Sequence, residues 1–370
     1  MENEKYAREI LKTGFVLESK ISDALRQAGW TVINNKYYED DFEGSVREID
    51  LLAYRVTKIQ HNRISVYTTL LISCKKSDTS IWALLAKNIN LKDPNADWWP
   101  LHTWSNDKAI TFELSKPSMA KKYHEEAIKL GVQEVLSVPD FEIFAFQEMN
   151  RESGKPQNDK NIFNSLTSLM KAQAYELGAL PQRKKSASIY QFNLISVIDS
   201  DLIRLKFDGE KISESPVDSE HYISRYIIKK NETSSRIQFV KASCFAEKLK
   251  DYGRLHTANY RWFDTACNTF YDDILKDGKR VAVLIENFRT KVKWPIYFSV
   301  KDTFNMQIDP ASIYIGWDAK ENIASVTLLD SDVVAHLNGD TALKLKVSAA
   351  IKDIYRYAGD FRFAVDELQF

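Results

Sequence analysis

Two stretches decide the fold: REIDLLAY at residues 47–54 and YTTLLISCKKS at residues 67–77. Both are rich in aliphatic and aromatic residues, and both change from apolar to charged at one end, which is typical of strands that leave a core. Side chains alternate along a strand, so Glu48 and Asp50 share one face of the first stretch. We therefore expect two neighbouring antiparallel strands that carry charged groups at one end.

The second stretch places a hydroxyl, a thiol and an ammonium in consecutive positions. By the same alternation Ser73 and Lys75 share a face, whereas Cys74 points the other way, towards the apolar layer. The two strands could thus bring the Asp50 carboxylate, a hydroxyl and an ammonium together at one edge of a sheet. The alternative is that these charges only form a solvated sheet edge.

The surrounding sequence predicts one long helix and then a three-strand meander. Residues 5–29 carry apolar residues at spacings of three to five and end at Gly29, as an amphipathic helix does. Strands are predicted at Trp30–Tyr38, Val46–Val56 and Ile64–Cys74, separated by short polar segments. Such short connections favour antiparallel pairing.

Phosphodiester hydrolysis needs a cation at the non-bridging oxygens and a group that positions or deprotonates water. The chain resembles the restriction-endonuclease-like, or PD-(D/E)XK, nuclease superfamily in four features. These are a leading helix, a three-strand meander, an aspartate on the second strand, and on the third strand a lysine two residues after the position that the superfamily usually fills with an acid. The resemblance covers about residues 5–150. It implies an α+β fold, an α/β sandwich whose core is a helix, a three-strand meander, a helix and a strand.

The resemblance also assigns roles to residues. Asp50 takes the place of the motif aspartate, a ligand of Mg²⁺ or Mn²⁺, and Lys75 that of the catalytic lysine. Ser73 stands where the superfamily usually has Glu or Asp. Glu18 resembles the helix glutamate that serves as a helper metal ligand in many of these nucleases, and the backbone carbonyl of Cys74 would complete the metal shell.

Ser73 leaves three hypotheses open, because a neutral hydroxyl binds Mg²⁺ more weakly than a carboxylate does. The protein is an active enzyme with a rearranged metal site, a weak enzyme that prefers Mn²⁺, or an inactive nuclease fold kept for binding nucleic acid or assembling a complex. Glu48 is a second candidate for the missing acid, and Glu18 could equally be a solvated or capping charge.

Other residues suggest contacts with nucleic acid. Lys76 and Ser77 follow the motif and could contact phosphate, or could simply be a solvated strand exit. The densest basic run is Arg183, Lys184 and Lys185, which could follow a phosphate backbone or form a solvated turn. Four tryptophans could stack on unpaired bases or pack in a core: Trp82, Trp98, Trp99 and Trp104.

The remaining sequence predicts a nuclease domain with extensions over residues 1–279 and a smaller α+β unit over 280–370, for sensing or dimerisation. Within the first domain, residues 82–113 are predicted to be an irregular aromatic insertion and 209–220 a loop. Helices are predicted at 117–130, 162–177, 243–252, 262–275 and 332–357. Strands are predicted at 141–149, 281–288, 294–300, 312–319 and 324–330, as a pair at 189–197 and 202–207, and as a hairpin at 222–229 and 236–240.

Composition excludes several classes of protein. The 51 basic and 51 acidic residues cancel, so no global positive field indicates a nucleic-acid or membrane-surface binder. Three separated cysteines, dispersed histidines and the absence of GxxxxGK[ST], GxGxxG and GxSxG motifs argue against a disulfide scaffold, a zinc hydrolase, a nucleotide-driven motor, a dinucleotide enzyme and an α/β-hydrolase. No segment has the length and apolarity of a signal peptide or membrane span, so we expect a cytoplasmic protein.

The expected function is metal-dependent hydrolysis of DNA, and the resemblance implies a role in microbial defence against foreign DNA or in DNA processing. The residues themselves leave RNA open as a substrate. The C-terminal unit would bind a partner protein or a second copy of the chain. A purely structural interaction protein, with the charges as surface decoration, is the third and blandest hypothesis.

Overall fold

The computed structural model describes residues 5–40, 44–59, 63–328 and 331–365. The helices are α1 (Lys5–Ile10), α2 (Gly14–Gln27), α3 (Lys108–Leu114), α4 (Met119–Lys129), α5 (Gln133–Leu136), α6 (Lys160–Arg183), α7 (Phe245–Tyr271), α8 (Gly278–Phe304), α9 (Ser331–Gly339) and α10 (Thr341–Tyr355). The strands are β1 (Thr31–Glu39), β2 (Val46–Ile59), β3 (Ile64–Lys76), β4 (Ser80–Asn88), β5 (Thr103–Ser105), β6 (Phe141–Asn150), β7 (Ser188–Asp199), β8 (Leu202–Asp208), β9 (Lys211–Pro216), β10 (Ser219–Ile228), β11 (Asn231–Lys241), β12 (Tyr314–Asp318), β13 (Ile323–Leu328) and β14 (Phe361–Val365). This is an α+β protein, as predicted.

Contacts between residues divide the chain into two compact units. The first runs to Asp107 and resumes from Pro117 to Asp264, and the second contains Lys108–Lys116 and the chain from Thr265 onward. Lys279, the last residue of the predicted first domain, falls inside the second unit. Within the described residues, the first unit holds a seven-stranded and a four-stranded sheet, and the second holds a three-stranded sheet.

The seven-stranded sheet contains the predicted meander. Its order is β1-β2-β3-β7-β11-β10, with β5 also paired to β7. Strands β1, β2 and β3 pair antiparallel, as predicted. Strand β7 then joins β3 in parallel, from the Ser65–Ser188 pair to the Lys76–Asp199 pair. A parallel neighbour requires a long crossover, and here the crossover ends in α6. In chain order, this sheet and its helices therefore read α2, meander, α6, β7.

The four-stranded sheet has the order β6-β4-β8-β9, and it corrects several predictions. The predicted irregular insertion begins with a regular strand, β4, which pairs with both β6 and β8. The strand predicted at 141–149 is present as β6 but lies in this sheet, not beside the meander. The prediction that β7 and β8 pair with each other is wrong, because β8 pairs in parallel with β4. The predicted loop 209–220 contains β9.

Helices α2 and α6 fix the sheet on which the candidate site lies. Leu17, Ile21 and Leu25 are the buried apolar residues of α2, which packs against β1, β2 and β3. Leu166 and Leu169 of α6 belong to one core cluster with strand residues such as Leu71 and Leu194. Apolar burial of this kind contributes about 25 cal/mol per Å² and holds both helices on the sheet.

The predicted first helix is broken into α1 and α2. The Thr13 hydroxyl donates a hydrogen bond to the carbonyl of Ile10 at 2.7 Å, which closes α1, and α2 begins at Gly14. The two helices predicted at 243–252 and 262–275 are instead one continuous helix, α7. Spacing of apolar residues predicted helix correctly in both places but did not locate the ends.

The second unit departs most from the prediction. The strands predicted at 281–288 and 294–300 are both part of α8, whose buried residues recur every three or four positions: Val281, Leu284, Phe288, Val292, Ile296 and Val300. The Asp277 side chain caps this helix by accepting hydrogen bonds from the amides of Lys279 and Arg280. The strands predicted at 312–319 and 324–330 are present as β12 and β13, although 329–330 lie outside the described residues. The predicted helix 332–357 is divided into α9 and α10 at Asp340, and β14 was not predicted.

No helix among the described residues combines the length and the apolar character that crossing a bilayer requires.

Candidate active site

The sheet brings Asp50 and Lys75 together. Asp50 lies on β2 and Lys75 on β3, which are neighbouring interior strands of the seven-stranded sheet, and Lys75 is the second-last residue of β3. The Lys75 ammonium lies 3.6 Å from Oδ2 of Asp50, and both side chains are partly buried, with 30% and 21% of their surfaces exposed. The same carboxylate oxygen accepts a hydrogen bond from the amide of Cys74 at 2.5 Å. Backbone and side chain of β3 thus both hold Asp50.

A local irregularity in β1 lies opposite Asp50. The β1–β2 ladder passes from the Asn34–Leu51 pair to the Lys36–Ile49 pair, and Asn35 between them has a left-handed backbone with φ of 52°. Asparagine adopts this conformation more readily than most residues with a side chain. The Asn35 side-chain amide donates a hydrogen bond to the Glu48 carboxylate. This irregularity therefore orients the second acidic residue of β2.

Glu18 of α2 belongs to the same electrostatic group. Burial raises the pKa of the Glu18 carboxyl, the negative charge of Asp50 raises it further, the Lys75 ammonium lowers it, and Glu48 raises it again. These effects require the four charges to lie near one another. The structure therefore places the predicted helper ligand within electrostatic reach of Asp50, Lys75 and Glu48.

The raised pKa has a measurable consequence for stability. When a carboxyl has a higher pKa in the folded protein than in the unfolded chain, the folded protein loses stability as the pH rises through that higher pKa. Glu18→Gln is therefore expected to raise the melting temperature at pH 7 in EDTA. Below the ordinary pKa of 4.5 the carboxyl is protonated in both states, so this gain should disappear. Thermal unfolding followed by circular dichroism across this pH range measures it.

Asp23→Asn is the matched control, because Asp23 lies on the same helix with an exposed carboxylate paired to Arg26. It should give no gain at pH 7. An equal melting temperature for Glu18→Gln and the wild type at pH 7 would show that Glu18 carries no electrostatic cost and does not belong to the charge group.

Ser73 is buried between β2 and β7. Only 1% of its surface is exposed, and it lies beside Ser196 in the β3–β7 pairing. The Ser196 hydroxyl bonds the Ser165 hydroxyl of α6 at 2.8 Å, whereas the Ser73 hydroxyl has no hydrogen-bond partner among the described residues. A buried hydroxyl without a hydrogen-bond partner lowers the stability of the fold, and such groups are rare in folded proteins.

Cys74 is 5% exposed, in agreement with its predicted place in the apolar layer. Burial raises the pKa of its thiol well above the ordinary value, and the charges of Asp50 and Glu18 raise it further. A thiol held protonated is a poor nucleophile, so thiol chemistry is not supported here. The geometry assigns its amide to Asp50, and a role for its carbonyl in a metal shell stays a prediction.

Lys76 and Ser77 are already engaged within the protein. The Lys76 ammonium donates to the carbonyl of Leu11 at 3.1 Å and lies 3.9 Å from Asp78. The Ser77 hydroxyl accepts a hydrogen bond from the amide of Ser80 at 3.0 Å, in the short connection between β3 and β4. Both residues lie close to Lys75 in the chain, but a phosphate would have to compete with these partners.

The basic run at 183–185 lies at the other end of the sheet. Strand β7 begins at Ser188 beside Ser65, whereas Lys75 pairs with Ile198, ten residue steps along β3. At about 3.3 Å per residue the two ends are about 33 Å apart. Arg183 bonds Glu176, and the Lys184 ammonium lies 4.9 Å from the Tyr67 ring centre, while Lys185 is exposed. The structure does not bring this run together with the site.

Sequence reasoning missed the cleft that opens beside the motif. Its lining includes Glu48, Asp50 and Lys75 from the strands, Phe163 and Lys171 from α6, and Tyr226 from β10. The Lys171 ammonium bonds the fully buried Asp40 carboxylate at 2.7 Å, which fastens α6 to the end of β1. Asp40 belongs to one of the short polar segments between the predicted strands, and a polar run after a strand gives no sign that one member is buried.

The tryptophans do not take part in the site. Trp82 and Trp98 are buried, with 1% and 3% of their surfaces exposed. Trp104 packs at a tilt against Tyr190, and the Lys121 ammonium lies 5.0 Å from the Trp99 ring centre. For Trp82 and Trp98 core packing is therefore the correct reading.

The oxygen atoms available at the site are of the type that binds a hard divalent cation. Asp50, Glu18 and Glu48 supply carboxylate oxygens, and Mg²⁺ commonly binds proteins through one or two carboxylates while it keeps several waters. Within the described ranges, no three His, Cys, Asp or Glu side chains lie close enough to hold one ion together. A Mg²⁺ ion here could thus share at most two of these carboxylates, and water would complete its shell.

Comparisons with models of protein families, with curated proteins and with solved structures found no match for this chain.

Proposed function

We propose that this protein is a metal-dependent nuclease that hydrolyses phosphodiester bonds in DNA. The observation that carries the proposal is the convergence of Asp50 and Lys75 from adjoining interior strands, with Glu18 of α2 in the same charge group. The chain order α2, meander, α6, β7 supports a restriction-endonuclease-like core. The proposed core extends beyond residue 150, because its second helix and fourth strand are α6 and β7.

Each residue has a distinct role in the proposed reaction. Asp50 and Glu18 would hold Mg²⁺ or Mn²⁺, and the bound divalent cation would neutralise charge on the phosphate and lower the pKa of a water molecule. Lys75, held 3.6 Å from Asp50, orients the attacking water or the phosphate oxygen with its ammonium. The Cys74 amide keeps Asp50 in position through its hydrogen bond. Burial of these groups strengthens their electrostatic interactions.

The resemblance supplies the wider setting of the proposal. We place the protein in the reducing cytoplasm of a microbe, in defence against foreign DNA or in DNA processing, with the C-terminal unit available to a partner protein or a second copy. All three cysteines are among the described residues and none of them forms a disulfide, which fits a reducing compartment.

A second function is favoured by Ser73. Its buried hydroxyl cannot replace the charge of the usual acid, and Lys75 neutralises Asp50 without help from an ion. This arrangement suits a nuclease fold that has lost catalysis and binds nucleic acid or assembles a defence complex.

The two functions are separated by incubating the full chain with supercoiled plasmid, linear duplex, single-stranded DNA and RNA, each in Mg²⁺, Mn²⁺ or EDTA. We expect cleavage only with a metal ion, and a loss of about 100-fold or more in Lys75→Ala. Lys87→Ala, which removes an exposed lysine of β4, is the matched control and should cleave normally.

Cleavage that persists in EDTA would contradict the metal-dependent mechanism. Salt-sensitive binding without any cleavage would favour the second function, because phosphate contacts weaken steeply with salt. Neither binding nor cleavage would leave only the structural interaction protein.

A further inference from the structure

One wall of the cleft beside the candidate site carries an aromatic ring in solvent. Phe163 lies in the first turn of α6 and is 48% exposed, although its neighbours Ile162 and Leu166 are buried in the core cluster. A single exposed phenylalanine on a surface is ordinary. Phe163 differs because it lines the same cleft as Asp50 and Lys75.

The ring is backed by a second aromatic residue. The Tyr226 ring centre lies 6.3 Å from that of Phe163, with an angle of 67° between the planes. Tyr226 is itself held by Lys171, whose ammonium lies 5.9 Å from the Tyr226 ring centre and bonds the buried Asp40 carboxylate. These contacts hold the Phe163 ring in place from one side, while about half of the Phe163 surface stays exposed to solvent.

The cleft therefore combines the groups that nucleotides require. Its strand side offers an ammonium and the proposed metal ligands for a phosphate, and its helix side offers an open aromatic ring for a base. Bases inside a duplex stack on neighbours on both sides, so along a continuous duplex only an unpaired base presents a free face to a side chain.

We propose that Phe163, backed by Tyr226, stacks on an unpaired base of the substrate, so that the preferred substrate is single-stranded DNA or a duplex with a single-stranded tail. This inference rests on the proposed function, because it takes the cleft at Asp50 and Lys75 as the place where nucleic acid binds. Continuous duplex is then a poor ligand, since it offers no free base at this wall.

Binding is measured without cleavage, by fluorescence anisotropy of labelled oligonucleotides in EDTA. The full chain should bind single-stranded and tailed DNA more tightly than blunt duplex of the same sequence. Phe163→Ala should weaken binding to the single strand about tenfold and leave binding to blunt duplex unchanged. Phe163→Leu should lose as much as Phe163→Ala, whereas Phe163→Trp should bind as well as the wild type.

Phe144→Ala is the matched control. Phe144 is also on the first unit, is 45% exposed, and meets Phe207 edge-on with ring centres 5.3 Å apart, but it lies outside this cleft. Its loss should leave binding unchanged. Circular dichroism confirms that each variant is folded.

The inference and the proposed function fail in different ways. Equal binding of single strand and blunt duplex, unchanged binding by Phe163→Ala, or no binding of single-stranded DNA would overturn the stacking inference. Absence of metal-dependent cleavage together with Phe163-dependent binding would overturn the nuclease and keep the stacking site.

Discussion

Asp50→Asn is expected to lower the rate of metal-dependent cleavage about 1000-fold or more. A bound metal ion contributes several kcal/mol to the stabilisation of charge in the transition state, and each 1.4 kcal/mol is a factor of ten in rate. Asparagine keeps the shape of the side chain and can still accept the hydrogen bond from the Cys74 amide. It loses the negative charge that pairs with Lys75 and that would bind a cation. The variant should therefore fold normally and fail in catalysis.

Single-turnover cleavage of a labelled substrate in Mg²⁺ measures this effect. Asp199→Asn is the matched control, because Asp199 is an exposed carboxylate at the end of β7, where it pairs in register with Lys76 of β3. That variant should cleave at the wild-type rate. If Asp50→Asn retains more than about a tenth of the wild-type rate, Asp50 is not the principal metal ligand.

Ser73→Asp is expected to lower the free energy of unfolding by about 3 kcal/mol in EDTA. The new carboxylate would be buried where the hydroxyl now has no partner, and it would lie among the charges of Asp50 and Glu18. Mg²⁺ or Mn²⁺ should restore most of this stability, because a bound cation compensates the added negative charge. Urea denaturation with and without metal measures both effects.

Ser196→Asp is the control that separates a metal site from simple burial. Ser196 is the neighbour of Ser73 on β7 and is fully buried, but its hydroxyl is bonded to Ser165. This variant should also lose stability, and metal should not restore it. Equal behaviour of the two variants in metal would contradict the metal site, and rescue confined to Ser73→Asp would support it.

The parts of the fold that the sequence predicted correctly are those with local causes. The meander follows from runs of β-branched and aromatic residues with short polar connections, and β10 and β11 form the predicted hairpin. Asp50 and Lys75 could be proposed together from the sequence because side-chain alternation assigns a face to each of them on two strands that were predicted to be adjacent.

Other parts depend on contacts that are distant in sequence. The parallel β3–β7 and β4–β8 pairs join strands more than a hundred residues apart, and no local pattern specifies such partners. In α8, valines, isoleucines and aromatic residues favoured strands by composition, yet their burial follows helical spacing. Tertiary packing decided the conformation there.

In the candidate site, too, some features follow from the local sequence and others only from contacts between distant parts of the chain. Glu18 could be proposed from its place on a helix, but only the fold shows that the charge of Asp50 raises its pKa. Phe163 did leave a sequence signal, since it falls outside the apolar stripe that Ile162, Leu166 and Leu169 define on α6. An aromatic residue out of phase with a helix core is a sign worth testing wherever a site is suspected.

The left-handed backbone at Asn35 has a consequence for recognising relatives of this protein. A chain that keeps this irregularity opposite the motif aspartate should carry Asn, Asp or Gly at that position, since other side chains adopt the conformation at a cost. The proposed acid-x-Lys motif is short, and in this chain Ser73 stands at the position of its acid. A search pattern that joins Asn35 to Asp50 and Lys75 would therefore discriminate better than the motif alone, and would tolerate the loss of the acid.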